Sequence, residues 1–290
     1  MNQWRLLREE HERPDWALAI EEAIPRTVGQ RLAPDTLRLW RTENSIIIGR
    51  FQCPKLEAAL SSCLRHKISI VRRFTGGGAV YHDMGNLNFA LSIHNDSWSI
   101  NKLSDFYKNV GQTVVKGLNY LGMSAKYTKR SIYVSDRKIS GLAGMTTKEV
   151  VFVHGSLLVD SNLEILYQVL NLEKDRPRKR FVSSAVKKVT TLKDELNRKI
   201  QMSEVEEALV EAFEENFESS LVLRELTKGE RELARTLFKD RYSRLQWILA
   251  TCEGCSEREK DASILETLTS LWKMKLDRNL ENSRYRVRMI

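Results

Sequence analysis

The stretch Arg72-Arg73-Phe74-Thr75-Gly76-Gly77-Gly78-Ala79-Val80-Tyr81-His82-Asp83-Met84-Gly85-Asn86 gathers the groups with the most to offer a reaction. Three consecutive glycines serve neither helix nor strand, because each loses much chain entropy on ordering and brings no side chain to pack. Their use is as backbone. Amides in such a loop form a concave anion site, and the missing side chains let a ligand approach the main chain closely. Arg72 and Arg73, just before the loop, add fixed positive charge in a forked geometry suited to phosphate. The glycines alone read as a tight turn between two strands beside ordinary surface arginines. The pattern is neither Walker A nor the dinucleotide fingerprint, since no Gly-Lys-Ser/Thr follows and no helix clearly starts there. The two arginines, with His82, Asp83 and Asn86 close by, tip the reading to phosphate binding.

Two further blocks follow, Asp136-Arg137-Lys138-Ile139-Ser140-Gly141 and Phe152-Val153-His154-Gly155-Ser156-Leu157-Leu158. Alone, Lys138 is one of 47 basic residues and reads as a solvated strand-edge lysine. In this order, the three blocks resemble the lipoate–protein ligase A family of the biotin/lipoate protein ligase superfamily. That family pairs two arginines with a triple glycine, then a His-Asp and a Gly-Asn, then a lysine motif and a His-Gly strand. Weaker similarity runs through Trp16 to Ala23, Ile48 to Gln52 and Lys188 to Leu192, so the resemblance covers about residues 1–249. The family's Val-Thr-Asn-Leu stands here as Val189-Thr190-Thr191-Leu192.

The resemblance implies an adenylate site built by Arg72, the loop Gly76, Gly77, Gly78, Ala79 and Val80, Asn86, and Lys138, which is the catalytic residue it assigns. It implies ATP with Mg²⁺ as cofactors and lipoate as substrate. Lipoate would first become lipoyl-AMP and then pass to a lysine of a lipoyl acceptor domain, in 2-oxoacid dehydrogenase complexes or the glycine cleavage H protein. An ammonium at Lys138 would offset repulsion between carboxylate and α-phosphate and stabilise developing charge. Ser140 and Gly141 are expected to bring amides toward the same anhydride, and Tyr81 and Phe74 to line a slot for the acyl chain. His82 and His154 are given no proton-transfer role, and Asp83 is expected to orient a loop amide or an arginine.

Two other readings compete. An ATP-independent octanoyl or lipoyl transferase would share the fold and need a nucleophile, in some branches a cysteine shortly before the lysine motif. Lys126 to Arg137 contains no cysteine, and Cys53 and Cys63 lie far upstream. A non-catalytic nucleotide- or nucleic-acid-binding module is the third reading, supported only by the basic run Lys174 to Lys188. That run lacks interleaved aromatics and reads better as a loop steering ATP or an acidic acceptor.

The elements that must position these residues follow from periodicity. Pro14 to Val28 reads as an amphipathic helix and Lys102 to Leu121 as the clearest one. Leu37 to Leu39 and Ile46 to Ile48 read as a strand pair ending at Gly49. Ile68 and Ile70 lead into the arginines, and Leu87 to Ile93 is a strand. Ser131 to Ile139 and Val150 to Asp160 read as two strands framing Lys138, with Gly141 and Gly144 in their connection. Ser203 with Glu206 and Thr227 with Glu230 match the capping box that opens a helix. Strands dominate the middle without regular strand–helix alternation. The expected class is therefore α+β, a mixed β-sheet core with flanking helices, which the resemblance likens to biotin protein ligase and class II tRNA synthetase cores.

The chain has 290 residues, 42% of them apolar, enough for a sizeable core. No apolar stretch approaches the roughly 20 residues that span a bilayer. No secretory signal core is visible, which points to the cytoplasm. A formal charge of +9 suits an anionic small molecule or an acidic acceptor. Residues 1–249 are expected to form the catalytic domain and 250–290 a short helical extension, too short for an ordinary second domain. Either that tail is a reduced extension or a separate accessory subunit completes adenylation. Cys252 and Cys255 form a lone CxxC with no nearby histidine, so no metal is expected there.

Overall fold

The computed structural model describes residues 2–11, 13–97, 102–171, 187–249, 266–267 and 269–270. The Cys252/Cys255 pair, most of the expected 250–290 extension and most of the basic run 174–188 lie outside them.

A mixed eight-stranded sheet carries the molecule, with strand order β11-β1-β2-β6-β10-β9-β8-β7. Its members are β1 (Asn2–His11), β2 (Thr36–Thr42), β6 (Asn86–His94), β7 (Ala125–Thr128), β8 (Ser131–Val134), β9 (Arg137–Thr146), β10 (Val150–Leu158) and β11 (Ser219–Leu223). Strand β1 runs parallel to both β2 and β11, and the remaining pairings are antiparallel. A second sheet of three strands, in the order β4-β3-β5, consists of β3 (Ser45–Ile48), β4 (Ser69–Arg72) and β5 (Val80–His82). The helices are α1 (Pro14–Gly29), α2 (Pro54–Glu57), α3 (Leu60–Arg65), α4 (Leu103–Tyr120), α5 (Leu163–Val169), α6 (Leu192–Leu196), α7 (Met202–Phe217), α8 (Lys228–Leu237) and α9 (Leu245–Leu249). This is the α+β class expected.

Two apolar layers bracket the large sheet. On one side α1 buries Ala17, Leu18, Ile20, Ala23 and Ile24 with Leu7, Trp40 and Val150 of the sheet and Ala234 and Leu237 of α8. On the other, Phe106, Val110 and Val114 of α4 pack with Leu209 and Phe213 of α7 over Leu39, Phe89, Leu91 and Val153. Strand β6 is therefore buried almost throughout, as a central strand must be when both faces are covered.

The structure corrects several local readings. Leu37 to Leu39 and Ile46 to Ile48 are strands, but they belong to different sheets, because β2 pairs with β1 and β6 while β3 pairs with β4 and β5. Strand β1 was not foreseen; its run of residues carries Trp, Arg and Glu without clean alternation. Gly141 and Gly144 lie inside β9, and the turn to β10 falls at 147–149. Thr227 and Glu230 form the full capping box of α8, whereas α7 starts one residue before Ser203, which caps nothing. Among the described residues no helix is long and apolar enough to cross a membrane.

Candidate active site

A cleft of about 740 Å³ opens beside the glycine loop, and a recess of about 90 Å³ adjoins it. Ala79, Val80, Lys138, Gly141, Ser156 and Lys187 line both, so Lys138 stands where they meet. The main chain holds Lys138 on two sides. It pairs with Tyr133 of β8, and it bridges to 188–190, its amide donating to the Lys188 carbonyl (2.8 Å) and its carbonyl accepting from the Thr190 amide (3.0 Å). Between Ile132↔Ser140 and Tyr133↔Lys138 the register shifts by one residue, a bulge that re-aims the strand at this position. Gly141 lies close beside it: a Cβ there would stand 2.6 Å from the Lys138 ammonium, which would have to swing aside.

No carboxylate among the described residues pairs with Lys138. Burial lowers its pKa, and Lys187 and Arg73 lower it further. Among the described residues an ammonium so placed lacks a counter-charge, and an anionic ligand would supply one.

The two arginines point apart, and the structure separates their roles. Arg72 is wholly buried and lines neither cavity. Its guanidinium donates to the carbonyls of Gly49 (2.9 Å), Arg50 (2.9 Å), Gln52 (2.7 Å), Trp247 (2.8 Å) and Ile248, and its own carbonyl accepts from the Trp247 indole (2.9 Å). The direct nucleotide contact expected of Arg72 is corrected accordingly: it ties the 49–52 turn to α9. Arg73 is the arginine that faces the cleft. It donates to the carbonyls of Ile47 (3.1 Å), Gly76 (2.7 Å) and Gly78 (2.8 Å). Because C=O and N–H oppose each other across a trans peptide, the amides of Gly77 and Ala79 point away from that guanidinium. Burial pushes Arg73 down to about 10.

Gly76, Gly77, Gly78, Ala79 and Val80 all line the cleft. Gly77 adopts φ +96°, and Gly49 lies against it so closely that a Cβ on Gly49 would meet the Gly77 carbonyl oxygen at 2.1 Å. Asn86 is the second correction. It is buried, donates to Asn88 Oδ1 (2.9 Å) and lines neither cavity, while Asn88 two residues on reaches the cleft. Asp83 does orient loop amides, accepting from Gly85 N (3.0 Å) and Asn162 N (2.8 Å). Tyr81 and Ser140 line the recess, and Phe74 packs on Phe152 and Ala90 outside both cavities. Thr191, where the family has asparagine, caps α6 by accepting from Asp194 N (3.1 Å), a role either residue type performs.

Sequence reasoning assigned no role to Glu21 or Trp40; in the wall of the cleft, Glu21 links Trp40 to His154. Glu21 accepts from the Trp40 indole (3.2 Å) and pairs with His154 Nδ1 (3.1 Å), while His154 Nε2 lies 2.8 Å from Thr75 Oγ1. Burial by itself raises the Glu21 carboxyl, but His154, with Arg38 and His82 behind it, leaves it below its ordinary value. His82 shares this wall. Burial pushes it down to about 3, so its ring is neutral, and neither nitrogen has a hydrogen-bond partner. Cys53 and Cys63 are buried and line neither cavity; burial pushes the Cys63 thiol up to about 12.

A model of the lipoyl protein ligase A/B catalytic domain matches residues 13–214. The chain belongs to this family. It is 32% identical over 242 residues to "Lipoate-protein ligase A subunit 1" of Thermoplasma acidophilum, covering 80% of this chain and 90% of that one. A solved crystal structure of lipoate-protein ligase A bound with ATP superposes with a TM-score of 0.75 at 30% identity, over 87% of this chain and 100% of the other. An octanoyltransferase, LipM of Brevibacillus brevis, is 28% identical over 275 residues, covering 86% of this chain and 99% of its own. As a lipoyl protein ligase A/B family enzyme, the chain has relatives named as lipoate-protein ligases and as an octanoyltransferase.

Proposed function

We propose that this enzyme ligates lipoate to a lysine of a lipoyl acceptor domain, using ATP and passing through lipoyl-AMP. The observation that carries the proposal is the uncompensated Lys138 ammonium at the junction of cleft and recess. Two anions, a carboxylate and an α-phosphate, must meet for adenylation, and a buried cation between them offsets their repulsion. A lipoate carboxylate oxygen attacks the α-phosphorus, the bond to the bridging oxygen breaks, and pyrophosphate leaves with that electron pair. The amine of the acceptor lysine then attacks the acyl carbon of the mixed anhydride. AMP departs, the new amide nitrogen loses a proton to water, and the acyl-lysine remains.

Shape and polarity suggest where each part lies. Strand β5 is the edge of the small sheet, and its Val80 and Tyr81 line the recess with Ile139, Leu158 and Leu166. Apolar walls beside an open strand edge suit a flat base that needs both stacking and main-chain hydrogen bonds. Leu18, Trp40, Ile47 and Leu142 give the cleft an apolar stretch for the acyl chain. Among the described residues no group of three or more His, Cys, Asp or Glu is placed to hold a metal ion. Mg²⁺ would therefore be held by the nucleotide's phosphates, where it would neutralise charge on the leaving group.

The relative named as a subunit supports a separate accessory protein for this chain too. Two buried cysteines outside any disulfide suit a reducing compartment, and the cytoplasm is the location we assign. The transferase reading is favoured by the LipM similarity. Against it, no thiol among the described residues lines the cleft or recess.

The test incubates the full chain with lipoate, Mg²⁺ and ATP labelled at the α-phosphate, then adds an unmodified lipoyl domain and follows adenylate, AMP and acceptor mass. Label in lipoyl-AMP and mass gain on the acceptor are expected once the accessory protein is supplied with the chain. Transfer from octanoyl carrier protein without ATP, and no adenylate, would replace the ligase with the transferase.

A further inference from the structure

The hairpin between β7 and β8 turns on two residues, Lys129 and Arg130, with φ of 46° and 64°. Two consecutive left-handed residues are the signature of a type I′ turn, for which Asn-Gly and Asp-Gly are the favoured pairs. A residue with a Cβ is strained in that conformation. Here both positions carry long basic side chains instead, and both line the cleft, as does Lys126 on the same hairpin. Strained backbone bearing charge into a cavity points to function more than to folding.

The charge around that cavity is lopsided. Arg73, Lys126, Lys129, Arg130, Lys138 and Lys187 line it, against Glu21 as the sole carboxylate among its described lining residues. Glu21 is already engaged by His154. Of these cations Lys138 and Arg73 are sheltered, whereas Lys126, Lys129 and Arg130 are exposed at the rim. The turn is also fixed relative to the centre of the reaction. The Arg130 carbonyl accepts from Leu142 N (2.8 Å) on β9, the strand that carries Lys138. The Arg130 guanidinium sits 5.5 Å from the centroid of the Tyr107 ring, another cleft residue.

We propose that Lys126, Lys129 and Arg130 form the seat of the departing pyrophosphate, an inference that rests on the adenylating reading above. In an in-line displacement the leaving group departs opposite the attacking oxygen. Its charge grows as the bond from the α-phosphorus to the bridging oxygen breaks and that oxygen takes the electron pair. The product must also escape to water. A cationic, exposed turn tied to the Lys138 strand meets both needs: it stabilises the developing charge and opens directly to solvent.

The test replaces the turn by its own favoured residues, Lys129→Asn with Arg130→Gly, in the full chain. Calorimetric titration with inorganic pyrophosphate and Mg²⁺ reads binding directly. Removing the two charges is expected to raise Kd by about tenfold or more, while the relieved backbone raises Tm by about 2 to 4 °C. Transfer from preformed lipoyl-adenylate to a lipoyl domain should keep its rate. Unchanged pyrophosphate binding, or a wild-type chain that binds none, overturns the proposal. Loss confined to the transfer step also overturns it, by making the hairpin a docking surface for the acceptor. A wild-type chain that binds pyrophosphate through this turn yet never forms adenylate even with the accessory protein present would instead sink the ligase reading, so the two failures are distinguishable.

Discussion

Replacing Lys138 by methionine removes a charge while keeping much of the side chain's bulk, and it separates catalysis from folding. The Lys138 ammonium is held down in pKa by burial and by Lys187 and Arg73, with no carboxylate partner among the described residues. Its interaction with an anion about 4 Å away, at an effective dielectric of about 20, amounts to about 4 kcal/mol. That corresponds to about a 10³-fold loss in the rate of adenylate formation, within the range for deleting one preorganised electrostatic contact. In the ligand-free fold the same change removes a desolvated, unpaired cation, so Tm should hold or rise. Rapid-quench measurement of lipoyl-AMP from labelled ATP gives the first quantity and thermal unfolding without ligand the second. Adenylation within about tenfold of wild type would refute the role given to the ammonium. A fall in Tm would refute the claim that it is uncompensated.

The pH dependence of stability should carry the mark of His82. Its ring is neutral in the fold, pushed down to about 3 by burial and further disfavoured as a cation by Arg73 and His154, while Glu21 pulls the other way. The unfolded chain binds a proton near pH 6.5, so this contribution is complete above that pH and is lost as pH falls toward 3. By pH 4 the loss is about 3 kcal/mol. Denaturant midpoints at pH 7 and pH 4 should converge in His82→Gln, and an undiminished slope there would assign the effect elsewhere. Gly49→Ala forces a Cβ to within 2.1 Å of the Gly77 carbonyl, so ATP binding should weaken and stability fall by about 1 to 3 kcal/mol. Gly229→Ala, with nothing within 4 Å, is the control and should be neutral or stabilising by ATP titration and unfolding. A chain with Cys53→Ala and Cys63→Ala should keep its acyl transfer rate; a loss of about 10³-fold or more would reveal a thiol nucleophile.

Much of the site was legible because its demands are local. A run of three glycines has few uses other than backbone, and Gly76 to Val80 indeed line the cleft. Asp83 sits two residues before the amide it orients. The expected contacts at Arg72 and Asn86 differ from the structure for two geometric reasons. Strand β4 ends at Arg72 and the chain stays extended into Arg73, so neighbouring side chains point to opposite sides and only one of the two arginines faces the cleft. Asn86 and Asn88 share a face, but the strand runs past the cavity and only Asn88 reaches it.

The sequence by itself determined the α+β class, the helices α1 and α4 and the glycine loop, and it singled out Lys138 as the residue to test, since periodicity, glycine chemistry and motif order are properties of short segments. Only the tertiary structure decided that Leu39 and Ile47 belong to separate sheets, that Arg72 ties the 49–52 turn to α9, and that Glu21, Trp40 and His154 meet. Those residues lie far apart along the chain, and pairing at that distance is set by which apolar faces bury together rather than by any local preference.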